Sequence, residues 1–449
     1  MSANLCTWDR SSDLNHPKLI EVVRSLAHRL RDSSMVKAIA TSEKNLSVLG
    51  GHPWHDVTVA NGYPGLVVFY AEMDRFDPKG EWDLVAHHHL LALQKGIQEN
   101  GIYSWSSFLG LAGIAFSISM ASQNKSRYTL FLEEIHQILL QRITGILEEE
   151  KRKEEKEPGV DPMVYDVISG FAGVGRYLLR EKDDPETRQV LKELIRYLVR
   201  LSEPIQVKGY KVPGWYVPRR YQFTEEDKIN YSEGSFNCGL SHGIPGPLAL
   251  LSLAFSQGVE VEGQREAIGR MADWLLRCRV RGDHGYYWPS VVTFRQEITT
   301  STQLEQTRDA WCYGTAGVAY SLYLAGQALG VEEYKKSGFE GFRAIFDRPS
   351  EIQNLDGPTF CHGLSGLVHL AHRLSRATGD ARLMEQACDA AVRLLNLYEP
   401  ESPYGYVDLE GNKRVHKAGL LDGAAGVALT LLSFEMKEEP MWDQLFLLS

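Results

Sequence analysis

Cysteine is scarce in this sequence. Only six cysteines occur among 449 residues, and they are scattered along the chain as Cys6, Cys238, Cys278, Cys312, Cys361 and Cys388. Small secreted proteins that depend on disulfides instead carry many cysteines at close, even spacings. The pattern therefore argues against a disulfide framework and indicates a reducing, cytoplasmic compartment.

Long hydrophobic runs are also missing. The most apolar window, 108–120, is interrupted by Gly110 and Gly113 and is too short to span a bilayer. The first residues, "MSANLCTWDRSSDLNHP", are polar throughout and lack the basic and apolar regions of a signal peptide. We therefore expect the mature protein to be the whole chain, and any membrane association to be peripheral.

The chain has no excess of basic charge. Its formal net charge is −10, with 24% charged and 43% hydrophobic residues, which is typical of a globular protein. Binding to nucleic acid relies on neutralising phosphates with basic side chains, so this balance argues against a nucleic-acid partner. The length fits two or three domains, or one large repeat assembly.

A repeat organises the sequence. The pattern Gly-x-x-Gly followed by an apolar helical run occurs seven times. Successive first glycines lie 48 to 73 residues apart (110 − 62 = 48 and 243 − 170 = 73), which leaves room for two helices each time. The first glycines are Gly62, Gly110, Gly170, Gly243, Gly314, Gly363 and Gly423.

More charged, amphipathic segments separate these apolar runs. In 185–203 the apolar residues follow helical spacing, and Asp184 and Pro185 precede them as a helix cap and first turn. The alternation predicts an all-α fold, an α/α toroid of seven inner and seven outer helices that forms one domain over residues 1–449. A helical solenoid has the same alternation, so closure of the ring is a hypothesis.

One stretch does not follow the helical period. Residues 204–237 are rich in proline, glycine, aromatic and β-branched residues. This composition is typical of strands and turns, and it predicts a small β-containing insertion.

Polar residues occupy the same phase in several repeats. His242, Tyr313, His362 and Asp422 each stand directly before a first glycine, and Cys312 and Cys361 precede two of these glycines by two positions. If the ring closes, they meet at the N-terminal ends of the inner helices, where the helix dipoles favour anions.

Cys312, Cys361 and His362 are the candidate metal ligands. A single cysteine is more often a small buried hydrophobe, but a Cys-His dipeptide and a second cysteine at the equivalent position favour metal. Two sulfurs and one imidazole leave a fourth position open, as in catalytic zinc sites. Cys278 and Cys388 fall in amphipathic segments and are predicted to be core residues.

The histidines fall into two groups. His242 in "LSHGIPG" is either a structural histidine or an acid or base facing the metal, and its repeat phase favours the second interpretation. His87, His88 and His89 fit no position of the repeat. They are predicted to lie on an outer helix, at the surface or partly buried.

Four motifs in order, "YDVISGFAGVG", "SHGIPG", "RDAWCYGTAG" and "CHGLSG", resemble the lanthipeptide cyclases, the lanthionine synthetase C family of class I lantibiotic biosynthesis. The resemblance implies an α-toroid with a small SH2-like insertion and one zinc ion held by Cys312, Cys361 and His362. It also implies that His242 is the acid or base, with Asp166, Arg308 and Tyr313 as further active-site residues. The role of Asp422 is not implied.

The implied reaction adds peptide cysteine thiols to dehydroalanine or dehydrobutyrine, which forms lanthionine and methyllanthionine thioether rings. The implied partners are a dehydrated precursor peptide with its leader, and a lantibiotic dehydratase and ABC transporter in a membrane-associated complex.

Three alternatives use related scaffolds. Eukaryotic relatives of the cyclases resemble them in fold and zinc motifs, bind glutathione and act as adaptors or on other substrates. A prenyltransferase β-type subunit uses six helix pairs and a carboxylate ligand. A glycosidase on an α/α barrel requires paired carboxylates at its mouth, for which Asp166 and Asp422 are the candidates.

Overall fold

The computed structural model describes residues 14–153, 158–301 and 304–449, so that Cys6 lies outside the described residues. Its helices, in chain order, are α1 (His16–Arg29), α2 (Ser33–Ala40), α3 (Tyr63–Phe76), α4 (Trp82–Asn100), α5 (Leu111–Ala121), α6 (Thr129–Lys153), α7 (Pro162–Tyr165), α8 (Phe171–Arg180), α9 (Pro185–Leu201), α10 (Glu225–Asn230), α11 (Pro245–Ser256), α12 (Gln264–Arg277), α13 (Phe294–Thr299), α14 (Thr315–Leu329), α15 (Glu332–Ala344), α16 (Ser350–Gln353), α17 (Leu364–Thr378), α18 (Ala381–Asn396) and α19 (Ala424–Leu432).

The strands are short and form antiparallel pairs. They are β1 (Ile205–Val207), β2 (Tyr210–Val212), β3 (Ser235–Asn237), β4 (Val280–Gly282), β5 (Gly285–Tyr287), β6 (Val291–Thr293), β7 (Asp408–Glu410) and β8 (Lys413–Val415). β1 pairs with β2, β3 with β6, β4 with β5 and β7 with β8.

Seven helices form the inner layer, and each begins directly after the first glycine of a repeat or within two residues of it. They are α3, α5, α8, α11, α14, α17 and α19. Their sequences are apolar around most of the circumference because neighbours cover them on most sides. In α5, for example, every residue from Leu111 to Ala121 is buried.

Six outer helices follow their inner partners in sequence, namely α4, α6, α9, α12, α15 and α18. They bury one apolar stripe and expose charge on the other side. In α9, Asp184 caps the N-terminus by accepting a hydrogen bond from the Thr187 amide at 2.8 Å, as its sequence predicts.

The seventh outer helix comes from the opposite end of the chain. α1 packs on α19, and α19 in turn packs on α3. The last inner helix therefore meets the first, and the predicted toroid is confirmed as a closed ring.

A circle of backbone hydrogen bonds runs around one end of the ring, through the loops that precede the inner helices. We call it the belt. Each loop donates an amide hydrogen to a carbonyl of the next loop, over N···O distances of 3.0 to 3.3 Å. The donor and acceptor pairs are Ala60 to Phe108, Phe108 to Ile168, Val167 to Ser241, Ser241 to Cys312, Cys312 to Cys361, Cys361 to Leu421 and Leu421 to Ala60.

The second glycine of the repeat gives these loops their room. A Cβ on Gly317 would stand 2.2 Å from the Trp311 carbonyl oxygen and 2.7 Å from Leu240 Cβ of the neighbouring repeat. A Cβ on Gly366 would stand 2.2 Å from the Phe360 carbonyl oxygen. The glycine therefore admits both the helix's own preceding loop and the adjacent repeat.

The β-containing segment 204–237 holds β1, β2, α10 and β3. Its last strand, β3, pairs with β6, which lies beyond α12 in sequence. The segment is thus tied to the connection between α12 and α14, on the side of the ring that carries the belt.

A C-terminal segment fills the ring beneath the belt. The 3-10 turn Trp442–Phe446 is buried, and the Trp311 indole donates a hydrogen bond to the Phe446 carbonyl at 3.1 Å. The Phe446 ring lies 4.0 Å from Phe360 and 5.3 Å from Phe108, measured between ring centroids. This aromatic cluster closes the core of the toroid.

No helix within the described ranges combines the length and the apolar character that crossing a bilayer requires.

Candidate active site at the mouth of the ring

The belt brings the two candidate cysteine ligands together. Cys312 and Cys361 occupy equivalent positions in neighbouring repeats, and the Cys312 amide donates to the Cys361 carbonyl at 3.1 Å. Residues separated by 49 positions (361 − 312) are therefore adjacent in the fold. Their phase in the repeat predicted this.

The loop "RDAWCYG" divides its side chains between core and site. Asp309 is buried and accepts a hydrogen bond from Arg348 at 2.5 Å, while Trp311 points into the aromatic core. Gly314 has φ +87°, and a Cβ there would stand 1.6 Å from the Arg308 carbonyl oxygen. This position requires glycine, and the tight turn directs Cys312 toward the mouth.

A sulfur, an imidazole and a carboxylate converge beside this loop. One ligand atom each from Cys361, His362 and Asp422 lies within 4.8 Å of the other two. Cys312 lines the same cavity as Cys361 and His362, and its thiol, together with burial, raises the pKa of the Cys361 thiol. The structure thus places Asp422 beside the three ligands predicted from sequence.

Asp422 faces His362, and its near oxygen, Oδ1, has no hydrogen-bond partner among the described residues. His362 Nδ1 and Asp422 Oδ1 are 3.6 Å apart, and that oxygen is buried. Burial raises the pKa of the Asp422 carboxyl, whereas His362 and Lys417 oppose the shift.

Lys417 links this carboxylate to the β7–β8 hairpin. Its ammonium lies 2.6 Å from Asp408 and 2.7 Å from Glu410. Burial lowers the pKa of Lys417, but the negative charges of Asp422 and Asp408 raise it by more. The pKa of Lys417 therefore lies above its ordinary value. The lysine stays charged and balances several carboxylates.

Asp166 and His242 form a second pair at the mouth. Asp166 is fully buried, and its Oδ1 accepts from the amides of Ser169 and Gly170 at 2.6 and 2.8 Å, which are the first amides of α8. Its Oδ2 lies 2.5 Å from His242 Nδ1. The carboxylate is thus fixed by backbone, and it orients the imidazole so that Nε2 is the nitrogen left for other partners.

Tyr313 and Arg308 flank the same space. The Tyr313 hydroxyl accepts a hydrogen bond from Asn237 at 3.1 Å, and burial raises its pKa. Arg308 is paired at 3.0 Å with Asp356. Asp166 is not the ion-pair partner of Arg308, because its two oxygens are engaged by backbone amides and by His242.

A cavity of about 540 Å³ joins these groups. Its walls include Arg308, Cys312, Tyr313, Cys361 and His362 from the ring, and His242 beside them. The opposite wall is formed by the β-containing segment, whose contributing residues are Val217, Tyr221, Gln222, Phe223, Asp227, Tyr231, Ser235 and Asn237.

Sequence reasoning missed Asn237, Asp356 and Phe223. Asn237 lies six residues before the first glycine of its repeat, Gly243, as Arg308 does before Gly314, so its position in the repeat could have identified it. Phe223 lies in the stretch without a period, which gives no signal for the direction of a side chain.

The donor set fits zinc. Two sulfurs and one imidazole are borderline and soft ligands of the kind that zinc prefers, and Asp422 Oδ1 is a buried acceptor beside the imidazole with no partner of its own. A hard ion such as Mg²⁺ would instead demand several oxygen ligands.

The chain matches the family model described as lanthionine synthetase C-like protein over residues 53–447. It is 23% identical over 398 residues to the nisin biosynthesis protein NisC of Lactococcus lactis subsp. lactis, covering 88% of this chain and 89% of that protein. Its structure superposes on a solved structure of nisin cyclase with a TM-score of 0.76 and 20% identity, covering 96% of this chain and 97% of that one.

Proposed function

This chain belongs to the lanthionine synthetase C-like family, and from that premise we propose that it is a zinc-dependent cyclase of a lantibiotic precursor peptide. It adds peptide cysteine thiols to dehydroalanine or dehydrobutyrine and so closes lanthionine and methyllanthionine rings. The observation that carries the proposal is the presence, in one cavity, of a thiol and imidazole cluster beside a carboxylate-held histidine.

Cys312, Cys361 and His362 would hold the zinc ion. When bound there, zinc supplies deprotonation of a peptide thiol at neutral pH, where a free thiol with a pKa of about 8.5 is mostly protonated.

His242 supplies the proton that completes the addition. The new bond joins the peptide sulfur to the β-carbon, the electrons of the double bond move toward the carbonyl oxygen, and the α-carbon then takes a proton. His242 Nε2 delivers this proton, because Nδ1 is engaged by Asp166 at 2.5 Å. The proton released by the thiol replaces the one that His242 gives to the α-carbon, so the addition consumes and releases no net proton.

Arg308 and Tyr313 face the position where negative charge develops on the carbonyl oxygen. A guanidinium and a buried phenol can both donate hydrogen bonds to such an oxygen. In the substrate-free protein these groups rest on Asp356 and Asn237.

The test uses dehydrated nisin precursor peptide with its leader attached. Ring closure leaves the mass unchanged but removes free thiols, so the product should resist alkylation by N-ethylmaleimide. Cys361→Ala should lose both the metal and the activity, whereas Cys388→Ala, in the outer helix α18, should keep about one zinc per chain. An active, metal-replete Cys361→Ala protein would contradict the proposal.

Binding of glutathione without any ring closure would instead support the adaptor function. We further propose that this protein is cytoplasmic and that it binds a lantibiotic dehydratase and an ABC transporter in a complex at the membrane. Co-purification of these two proteins with this chain tests that part.

A further inference from the structure

The β-containing segment places an aromatic ring directly against the proposed proton donor. The ring centroids of Phe223 and His242 are 5.0 Å apart with an interplanar angle of 56°, which is a tilted contact between aromatic rings. Phe223 nevertheless remains 46% exposed. An aromatic side chain that covers a histidine and still faces a cavity is placed for a task other than filling the core.

The local structure holds Phe223 in position from both sides. Before it, the Gln222 side chain donates to the Val217 carbonyl at 3.0 Å and to Ser235 at 2.9 Å, which ties the turn to β3. After it, Thr224 begins α10 in a capping box with Asp227. These bonds fix the backbone on either side of the phenyl ring.

We propose that Phe223 shields His242 from water, so that the imidazole alone protonates the α-carbon and the new stereocentre forms in one configuration. This inference rests on the proposed cyclase function. Phe223 acts through His242 and is therefore a positioning residue.

The stereochemical argument follows from the geometry of the addition. After sulfur bonds to the β-carbon, the α-carbon is planar and can take a proton on either face. His242 Nε2 reaches it from one side only, whereas water can approach from both. The His242 side chain is still 26% exposed beneath Phe223, so removal of the phenyl ring opens the imidazole and the space above it to solvent.

The first readout is the configuration of the product. With dehydrated nisin precursor peptide as the substrate, Phe223→Ala should still close rings, but the fraction with the opposite configuration at the α-carbon should rise by about tenfold, a loss of about 1.4 kcal/mol of facial preference. Chiral gas chromatography of the hydrolysed product measures it. Phe223→Tyr should restore the wild-type ratio, because its hydroxyl can extend into solvent from a half-exposed site.

Ile229→Ala and Tyr210→Ala are matched controls. Both side chains are exposed apolar residues of the same segment, at 72% and 50% exposure, and neither lines the cavity. Neither substitution should change the configuration. A shift in these controls equal to that of Phe223→Ala would show a general loosening of the segment and overturn the proposal.

A second readout needs no turnover. Diethyl pyrocarbonate modifies exposed imidazole nitrogen, and Phe223→Ala should speed the modification of His242 several-fold, as measured by peptide mass spectrometry. If the wild-type protein closes no rings, the cyclase function fails, and this rate still tests the shield. Unchanged configuration together with an unchanged modification rate would refute the role of Phe223.

Discussion

Removal of the Asp422 carboxylate should weaken zinc binding without unfolding the protein. Asp422 Oδ1 lies at an ion-pair distance of 3.6 Å from His362 Nδ1 and has no hydrogen-bond partner in the described part of the chain. Carboxylates beside a ligating histidine fix the ring and raise its basicity, and their loss typically costs about 10- to 100-fold in metal affinity. We therefore expect Asp422→Ala to bind zinc more weakly by about 1.4 to 2.7 kcal/mol.

The fold should tolerate this change because the lysine nearby keeps its partners. Lys417 retains Asp408 at 2.6 Å and Glu410 at 2.7 Å, so the substitution leaves no buried unpaired ammonium. The melting temperature of the metal-free protein should consequently change little.

Competition with a fluorescent zinc chelator measures the affinity, and elemental analysis gives the stoichiometry. Asp422→Asn keeps the shape of the side chain but not its charge. Its zinc affinity should lie between that of the wild type and that of Asp422→Ala. Asp356→Asn is the control, since its carboxylate pairs with Arg308 at the same mouth. An affinity for Asp422→Ala within twofold of wild type would refute the reasoning. A loss as complete as that of Cys361→Ala would make Asp422 a direct ligand.

Three further predictions concern the acid pair, the buried histidine and the repeat glycine. Asp166→Asn and His242→Asn should keep zinc, by elemental analysis, but slow ring closure by about 10²- to 10⁴-fold, by thiol alkylation, and unchanged rates would exclude proton transfer at this pair. Burial lowers the pKa of His89 from 6.5 to about 4, so its share of the stability is present above pH 6.5 and is lost as pH falls toward 4. That share is about 3 to 4 kcal/mol, because a pKa difference of one corresponds to about 1.4 kcal/mol. In urea denaturation, His89→Gln should therefore make the free energy of unfolding depend less steeply on pH between 6.5 and 4. Gly366→Ala should destabilise by about 1 to 3 kcal/mol, since its Cβ would strike the Phe360 carbonyl just before Cys361, and an unchanged melting temperature would contradict the close contact.

The repeat allowed most of the ring to be predicted from sequence. Equal phase before each first glycine foretold that Cys312, His362 and His242 share one end of the toroid, because equivalent positions of a closed repeat face the same way. Asp166 was named as an active-site residue by the family resemblance and not by spacing, and its pairing with His242 is seen only in the structure.

The positions of residues that lie outside the sequence repeat could not be predicted. α1 serves as the seventh outer helix although no Gly-x-x-Gly pattern precedes it, and its place is set by packing on α19. His89 was expected at the surface or partly buried, yet it is fully buried, with a ring nitrogen 3.0 Å from the Leu30 carbonyl. The contact of Phe223 with His242 depends on the pairing of β3 with β6, which joins segments more than 50 residues apart (291 − 237 = 54).

The belt also determines how a long peptide can use this site. Its hydrogen bonds form a closed circle, and the aromatic side chains of Phe446, Phe360 and Trp311 fill the ring beneath it. An extended peptide therefore cannot pass through the centre of the ring. Under the proposed cyclase function, both arms of a precursor peptide would therefore lie on the side of the β-containing segment, and each thioether would form on a bent loop of the peptide. Under that proposal, the formation of successive rings would require the peptide to leave the cavity and to bind again.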